Sequence, residues 1–253
     1  MHSRPQPEGG SGAQGAARSV DTGGPTAHAG RGVWAIVVAG GNGSRFGGPK
    51  QFAHVGGRPL VEWSLEAAAS CVDGVVLVVP EDQLDTAPRF DRTGADVVVA
   101  GGPTRAASVR AGLAAVPDAA AVVVVHDAAR PLASPALFRA VIGAVIDDGR
   151  VGGAIPGVPV TDTLKEVDGG VVAVTVPRDR LVAVQTPQAF RADVLRSAHA
   201  GGEEATDDAA LVEQQGGTVV VVAGEPGNLK VTVERDLALV ELALADAPSQ
   251  VQR

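Results

Sequence analysis

The chain of 253 residues has one cysteine, Cys71, one methionine and no tyrosine. A single cysteine excludes an internal disulfide framework and any cysteine-based metal cluster. Cys71 falls at the end of an apolar helical stretch and reads as a small hydrophobe, not a nucleophile. No apolar run reaches the roughly 18 residues of a membrane-spanning helix. The N-terminus lacks the apolar stretch of a signal peptide, so the expected location is the cytoplasm. Positive charge is in the minority, with 21 Lys and Arg against 29 Asp and Glu and a net charge of −8. That balance excludes a protein that grips nucleic acid by bulk charge. Lysine is the scarcest charge: only Lys50, Lys165 and Lys230 occur among the 21 basic residues. A codon bias toward Arg, Ala, Gly and Val explains the rarity, but a position that keeps Lys against it invites the question whether Arg would fail there. No Ser-His-Asp elbow and no histidine-rich metal spacing is present.

What is present is a chain 45% hydrophobic, enough for one or two domains at roughly 150 residues each. Residues 1–32 are rich in Gly and Pro and nearly devoid of large apolar side chains. Such a segment does not bury enough surface to offset its ordering entropy, and a disordered tail is expected. From Val33 the pattern changes. Short runs rich in Val and Ala recur at Val33–Ala39, Gly74–Val79, Asp96–Ala100, Ala121–His126, Val151–Ile155 and Thr218–Val222. Continuous apolar runs of this length predict strands buried on both faces. Helical segments alternate with them at Pro59–Ser70, Arg105–Val116, Pro135–Ile146, Arg191–Ala198, Asp207–Gln215 and Glu234–Leu244. Ser134 before Pro135 and Thr206 before Asp207 read as helix starts. The alternation predicts an α/β domain with a mainly parallel sheet over 33–253, its ligands bound beyond the carboxyl ends of the strands. Two extended pieces, Val158–Val167 and Val171–Val176, flank Asp168-Gly169-Gly170 and predict an inserted β-hairpin over 157–181.

Three loops follow strands and carry the candidate chemistry. The first runs Ala39-Gly40-Gly41-Asn42-Gly43-Ser44-Arg45 and continues to Pro49-Lys50. Glycines there let backbone N–H groups turn toward phosphate, and Arg45 and Lys50 add positive charge. No Gly-Lys-Ser/Thr follows, so this is not the phosphate loop of the NTPases. The second, Gly101-Gly102-Pro103-Thr104-Arg105 with Ser108, opens a helix whose N–H groups and Ser108 hydroxyl suit a ribose or a base, but taken alone it reads first as an ordinary strand–helix turn. The third, His126-Asp127-Ala128-Ala129-Arg130, ends a very apolar strand. A carboxylate there needs a partner; Arg130 would serve, or Asp127 is a candidate ligand for Mg²⁺. His126 reads as a structural hydrogen bonder. Weaker groups are Asp162-Thr163-Leu164-Lys165, Arg178, Thr186-Pro187-Gln188, Thr206-Asp207-Asp208 and Asn228-Leu229-Lys230-Val231-Thr232.

Taken in this order, from Val33 to Leu244, these motifs resemble the 2-C-methyl-D-erythritol 4-phosphate cytidylyltransferase family. The chain departs from the family pattern at Pro103-Thr104, where many members carry an acidic residue before the arginine. The resemblance implies a Rossmann-like doubly wound, nucleotidyltransferase-like fold whose hairpin is a dimerisation arm. It implies transfer of a cytidylyl group from CTP to methylerythritol 4-phosphate, with Mg²⁺ or another divalent cation held mainly by the CTP phosphates. It implies catalytic Arg45, Lys50 and Lys230. The CTP site would comprise Ala39, Gly40, Gly41, Gly43, Gly101, Gly102, Arg105, Ser108 and Ala128. The acceptor site would comprise Asp127, Arg130, Thr163, Arg178 and Thr206. Thr163 and Arg178 would come from the neighbouring subunit of a homodimer. Neither nucleic acid nor membrane is an expected partner, and too few residues follow Leu244 for a second catalytic domain. A cytidylyltransferase for another polyol phosphate, such as ribitol 5-phosphate, shares the CTP half and stays open. An NAD-dependent dehydrogenase needs an acidic residue at the end of a second strand, whereas Glu62 and Glu66 fall in a helical segment. A nucleotide-sensing module would bind CTP without turnover.

Overall fold

The computed structural model describes residues 32–41, 46, 50–84 and 94–246, together with the backbone of 18–19. The expectation of a disordered tail therefore falls almost entirely outside the described residues. The sheet is built from β1 (Val33–Val38), β2 (Gly74–Val79), β3 (Val97–Ala100), β4 (Val122–Asp127) and β5 (Gly153–Pro159). β1 pairs in parallel with both β2 and β4, and β2 with β3. These strands are runs of valine and other apolar residues, and β2 and β4 are buried along their whole length. That is the signature of strands covered on both faces.

Alternation within the strands sorts the two faces. Val33, Ala35, Val37 and Ala39 meet Leu65 of α1 (Leu60–Ala69) and Phe138 of α3 (Pro135–Asp147). Ile36 and Val78 meet Val109 of α2 (Arg105–Ala115), in a core shared with Leu195 of α4 (Ala192–His199) and Leu211 of α5 (Asp208–Gln214). The result is three layers with a mainly parallel sheet in the middle, as the alternation predicts. Ser134 caps α3, its hydroxyl accepting from the Leu137 N–H at 3.2 Å, ahead of Pro135. α5 begins one residue later than expected: Asp207, not Thr206, is its cap, accepting from the Ala210 N–H at 3.0 Å.

The hairpin is present. β6 (Leu164–Asp168) and β7 (Val171–Val176) pair antiparallel. Gly169 and Gly170 turn between them with φ of 54° and 84°, the left-handed values a two-residue hairpin loop demands. The first arm strand starts at Leu164 because Val158 and Pro159 continue β5 instead. There they pair with β8 (Val182–Val184), a strand the apolar runs do not signal. After β8 the chain passes the cis Thr186–Pro187 bond. It then forms β9 (Gln188–Arg191), wedged antiparallel between β4 and β5. β10 (Val219–Ala223) closes the edge in parallel with β5. The final helix, α6 (Arg235–Asp246), helps bury a third small cluster of Val55, Leu60, Val231 and Val240.

Candidate active site

β1 and β4 lie side by side, with Val38 opposite Asp127. The chain leaves β1 toward β2 and β3 on one side and returns to β4 on the other. Their carboxyl ends thus form the switch point where open α/β sheets take ligands. Four segments meet above it: Gly40-Gly41, Gly102 to Arg105, Asp127 to Ala129, and Lys230 to Thr232. Between them is an open cleft of about 330 Å³, with Lys50 on its wall.

The glycines are set by close approach. A Cβ on Gly101 would sit 2.9 Å from Ser108 Oγ, and one on Gly102 would sit 2.5 Å from Ala107 Cβ. This loop therefore packs onto the first turn of α2 as only glycine allows. The Ser108 hydroxyl clamps this junction, donating to the Thr104 carbonyl at 2.9 Å and accepting from the Gly102 N–H at 3.2 Å. Gln51 donates to the Gly41 carbonyl at 3.3 Å and tethers the first loop.

Charge is concentrated at Asp127. Its Oδ1 accepts from Arg105 Nε at 3.1 Å and its Oδ2 from Lys230 Nζ at 2.6 Å. Burial pushes the carboxyl up, but the Arg105 and Lys230 cations overrule it and hold it well below the usual carboxylate range. Arg105 also donates through Nη1 to Asp208 at 2.8 Å, and Asp208 accepts from His199 Nε2 at 3.0 Å. Burial lowers the Arg105 pKa, but the two carboxylates raise it more and keep the guanidinium protonated. Arg130 is not the partner of Asp127. It donates instead to the Asn228 carbonyl at 2.8 Å, bracing the segment that carries Lys230. His126 is fully buried, and desolvation pushes its pKa down to about 4. Its ring nitrogens lie 3.2 Å from the Thr186 hydroxyl and 3.2 Å from the Arg130 carbonyl, a structural role as expected. Lys50 Nζ donates to the Val231 carbonyl at 2.6 Å. The Val231 N–H in turn donates to the Ala129 carbonyl at 2.8 Å. One short segment thus presents Lys230 and anchors Lys50.

The cleft brings together Gly40, Gly41, Lys50, Gly102, Arg105, Ser108, Asp127 and Lys230. Ala39, Gly101 and Ala128 back it: Ala39 and Ala128 are buried, and Ala129 lines the cleft beside Ala128. Gly43 and Arg45 lie outside the described residues. Thr163 and Arg178 sit at the base of the arm. There Arg178 donates to the Thr161 carbonyl, and neither residue lines the cleft of its own chain. Thr206 is exposed just before α5. Lys165 donates to Thr175 across the hairpin at 2.5 Å, so it braces the arm. Gln51, Asn228, Asp208 and His199 were not singled out by sequence. Asn228 and Asp208 lie in the quoted motifs and Gln51 directly follows one, but nothing marks them as supports until their partners are placed; His199 carries no signal.

A family model described as 2-C-methyl-D-erythritol 4-phosphate cytidylyltransferase matches residues 33–246. The chain is 46% identical over 218 residues to the 2-C-methyl-D-erythritol 4-phosphate cytidylyltransferase of Nocardia farcinica, covering 84% of this chain and 94% of that protein. It is 47% identical over 220 residues to a bifunctional enzyme IspD/IspF of Granulibacter bethesdensis, covering 84% of this chain but 56% of that longer protein. The crystal structure of 2-C-methyl-D-erythritol 4-phosphate cytidylyltransferase from Thermus thermophilus matches with a TM-score of 0.69 at 39% identity, over 83% of this chain and 97% of that one. The crystal structure of 4-diphosphocytidyl-2C-methyl-D-erythritol synthase from Anaerococcus prevotii matches with a TM-score of 0.74 at 29% identity, over 84% and 96%.

Proposed function

The chain belongs to the 2-C-methyl-D-erythritol 4-phosphate cytidylyltransferase family, and from that premise we propose how its residues divide the reaction. The reaction moves a cytidylyl group from CTP to 2-C-methyl-D-erythritol 4-phosphate, giving CDP-methylerythritol and pyrophosphate. An acceptor phosphate oxygen attacks the α-phosphorus in line; a P–O bond forms there and the bond to the pyrophosphate oxygen breaks. The attacking oxygen is already an anion at neutral pH and needs no general base. The barrier is electrostatic, because two polyanions must meet, so catalysis is positioning and cationic stabilisation.

The observation that carries the assignment is the convergence of Lys50 and Lys230 on residues 230–231, facing the glycine loop across the cleft. Lys50, with Arg45, neutralises the triphosphate. Lys230 meets the α-phosphate, exchanging the Asp127 carboxylate for a phosphate oxygen. Ala39, Gly40, Gly41, Gly43, Gly101, Gly102, Ser108 and Ala128 shape the cytidine pocket. Arg105 borders that pocket and holds Asp127. Asp127, Arg130 and Thr206 serve the acceptor, and the arm of a second subunit supplies Thr163 and Arg178. Exposed valines on the arm favour such a dimer; Val171 leaves 71% of its surface open. The catalytic unit is one domain over 33–253 with 157–181 as the arm.

A divalent cation fits this site only as a passenger of the nucleotide. Among the described residues no group of three acidic, histidine or cysteine side chains could cage an ion. Among the described residues lining the cleft, Asp127 is the one carboxylate. When bound, the ion would offset phosphate charge, with Asp127 its protein contact.

Two inactive variants test the shared site. Lys230→Ala and Arg178→Ala chains, unfolded together and refolded as a mixture, should recover about a quarter of wild-type pyrophosphate release, because half the dimers are mixed and each holds one intact site. A mixture as inactive as its parents would overturn the shared site. Preference for ribitol 5-phosphate over methylerythritol phosphate in the same assay would overturn the acceptor assignment.

A further inference from the structure

The Asp208 side chain is 1% exposed, yet nothing in the reaction scheme uses it. A carboxylate that deep needs partners to offset its lost hydration. It has two, one on each side: His199 from α4 and Arg105 from the start of α2. Arg105 then reaches with Nε to Asp127 at the end of β4. Its Nη2 is buried with no hydrogen-bond partner. The guanidinium is thus held at two points by carboxylates from different elements. Charges alternate along the row, from Asp208 through Arg105 and Asp127 to Lys230.

The geometry assigns each Asp127 oxygen to one cation. Arg105 takes Oδ1 through Nε alone, which leaves Oδ2 for Lys230. A guanidinium prefers to meet a carboxylate with two parallel N–H donors. Arg105 meets Asp127 through Nε alone: Nη2, the donor beside Nε that would complete the pair, makes no hydrogen bond, and the hold of Asp208 on Nη1 fixes the guanidinium in that orientation. Without Asp208, Arg105 is free to turn onto both Asp127 oxygens and displace Lys230.

On the footing of the role given to Asp127 above, we infer that Asp208, backed by His199, is a positioning residue. It restrains Arg105 so that one Asp127 oxygen stays available to Lys230 and then to the acceptor. Asp208 does not touch substrate and acts through Arg105.

The test is single-turnover and steady-state pyrophosphate release by Asp208→Asn, Asp127→Asn and the double variant, with thermal melting as a check of folding. Asp208→Asn should lower kcat about tenfold and raise KM for methylerythritol phosphate, with KM for CTP within about twofold of wild type. In the Asp127→Asn background it should add less than about twofold, because the oxygen it protects no longer carries the charge. A kinetically silent Asp208→Asn would overturn the inference. So would a loss that multiplies fully with that of Asp127→Asn, or one that falls equally on both substrates. If Asp208→Asn does not fold, His199→Ala takes its place: it removes the partner that backs Asp208, lies outside the cleft lining, and should show the same split between substrates. An unsplit loss would overturn the inference by that route. Near-normal activity of Asp127→Asn alone would instead reject the role of Asp127, a separate failure.

Discussion

Replacing Asp127 by Asn removes one negative charge and almost no volume, so its effect reads the charge row directly. The variant leaves Arg105 with one carboxylate instead of two, and it faces Lys230 or Arg105 with an amide that is itself part donor. Losing a charge-assisted hydrogen bond at a largely buried guanidinium costs about 1.5–3 kcal/mol. Lys230 is 42% exposed, so its lost partner adds at most about 1 kcal/mol after solvent screening. Relief from burying a carboxylate offsets part of this, and a net loss of about 2 kcal/mol follows. For a domain of this size that is a fall in melting temperature of roughly 4–8 °C. The pH dependence is the sharper signature. The folded Asp127 pKa is depressed, so its stabilisation is fully present above the unfolded value of about 4 and is lost as pH falls below it. The gap between wild type and variant should therefore be constant from about pH 5 to 7 and shrink toward pH 3. Turnover at pH 7 should fall about 100-fold. Differential scanning calorimetry across pH and a coupled pyrophosphate assay make both measurements. A variant that melts no lower than wild type at pH 7, or a gap that does not change with acid, would refute this account of Asp127.

Lys50→Arg and Lys230→Arg keep the charge but replace a compact ammonium by a planar fork, and each should still lower kcat at least about tenfold; full activity in either would show that charge alone suffices. His126 has the opposite acid sign from a typical paired histidine. Its pKa is lowered to about 4, so the stability its neutral form provides is complete above about pH 6.5 and falls, by roughly 3 kcal/mol, as pH drops to 4. Urea titrations of wild type and His126→Gln at pH 7 and 4.5 should show the gap narrowing. Phe138→Ala, which empties a fully buried site between α3 and the sheet, should cost about 3–5 kcal/mol in a urea titration and leave KM for CTP unchanged.

Much of the scaffold is legible in the valine runs, because β1 to β4 are largely buried and apolar until His126 and Asp127 end β4. β8 and β9 escape notice for the opposite reason. Val182–Val184 is very short, and Gln188–Arg191 is polar at both ends. Only their places beside β5 and between β4 and β5 make them strands. In the site, Gly40 just past β1, Lys50 farther along the same loop and Asp127 at the end of β4 are readable because strand ends and the loops after them are where ligands bind. The partner of Asp127 is not. Arg130 is close in sequence, but the turn after β4 sends its side chain toward Asn228, while Arg105 arrives from the loop after β3, three strands away along the sheet. Asp208 is harder still: beside the capping Asp207 it looks like a second helix-start acid, and only the approach of Arg105 reveals its use.

The tie between Lys50 and the Val231 carbonyl bridges 181 positions of sequence, and it has a consequence for how the protein comes into being. Synthesis delivers the glycine loop, the parallel strands and Lys50 early, but a domain folds as a unit, and this one lacks residues 228–232 until late. The glycine loop therefore exists in the chain long before Lys230 does. A growing chain can present glycine amides to a phosphate, but it lacks the second ammonium and the anchor for the first. Chemical competence arrives late and at one stroke, when residues 228–232 dock, so a half-made chain does not consume CTP.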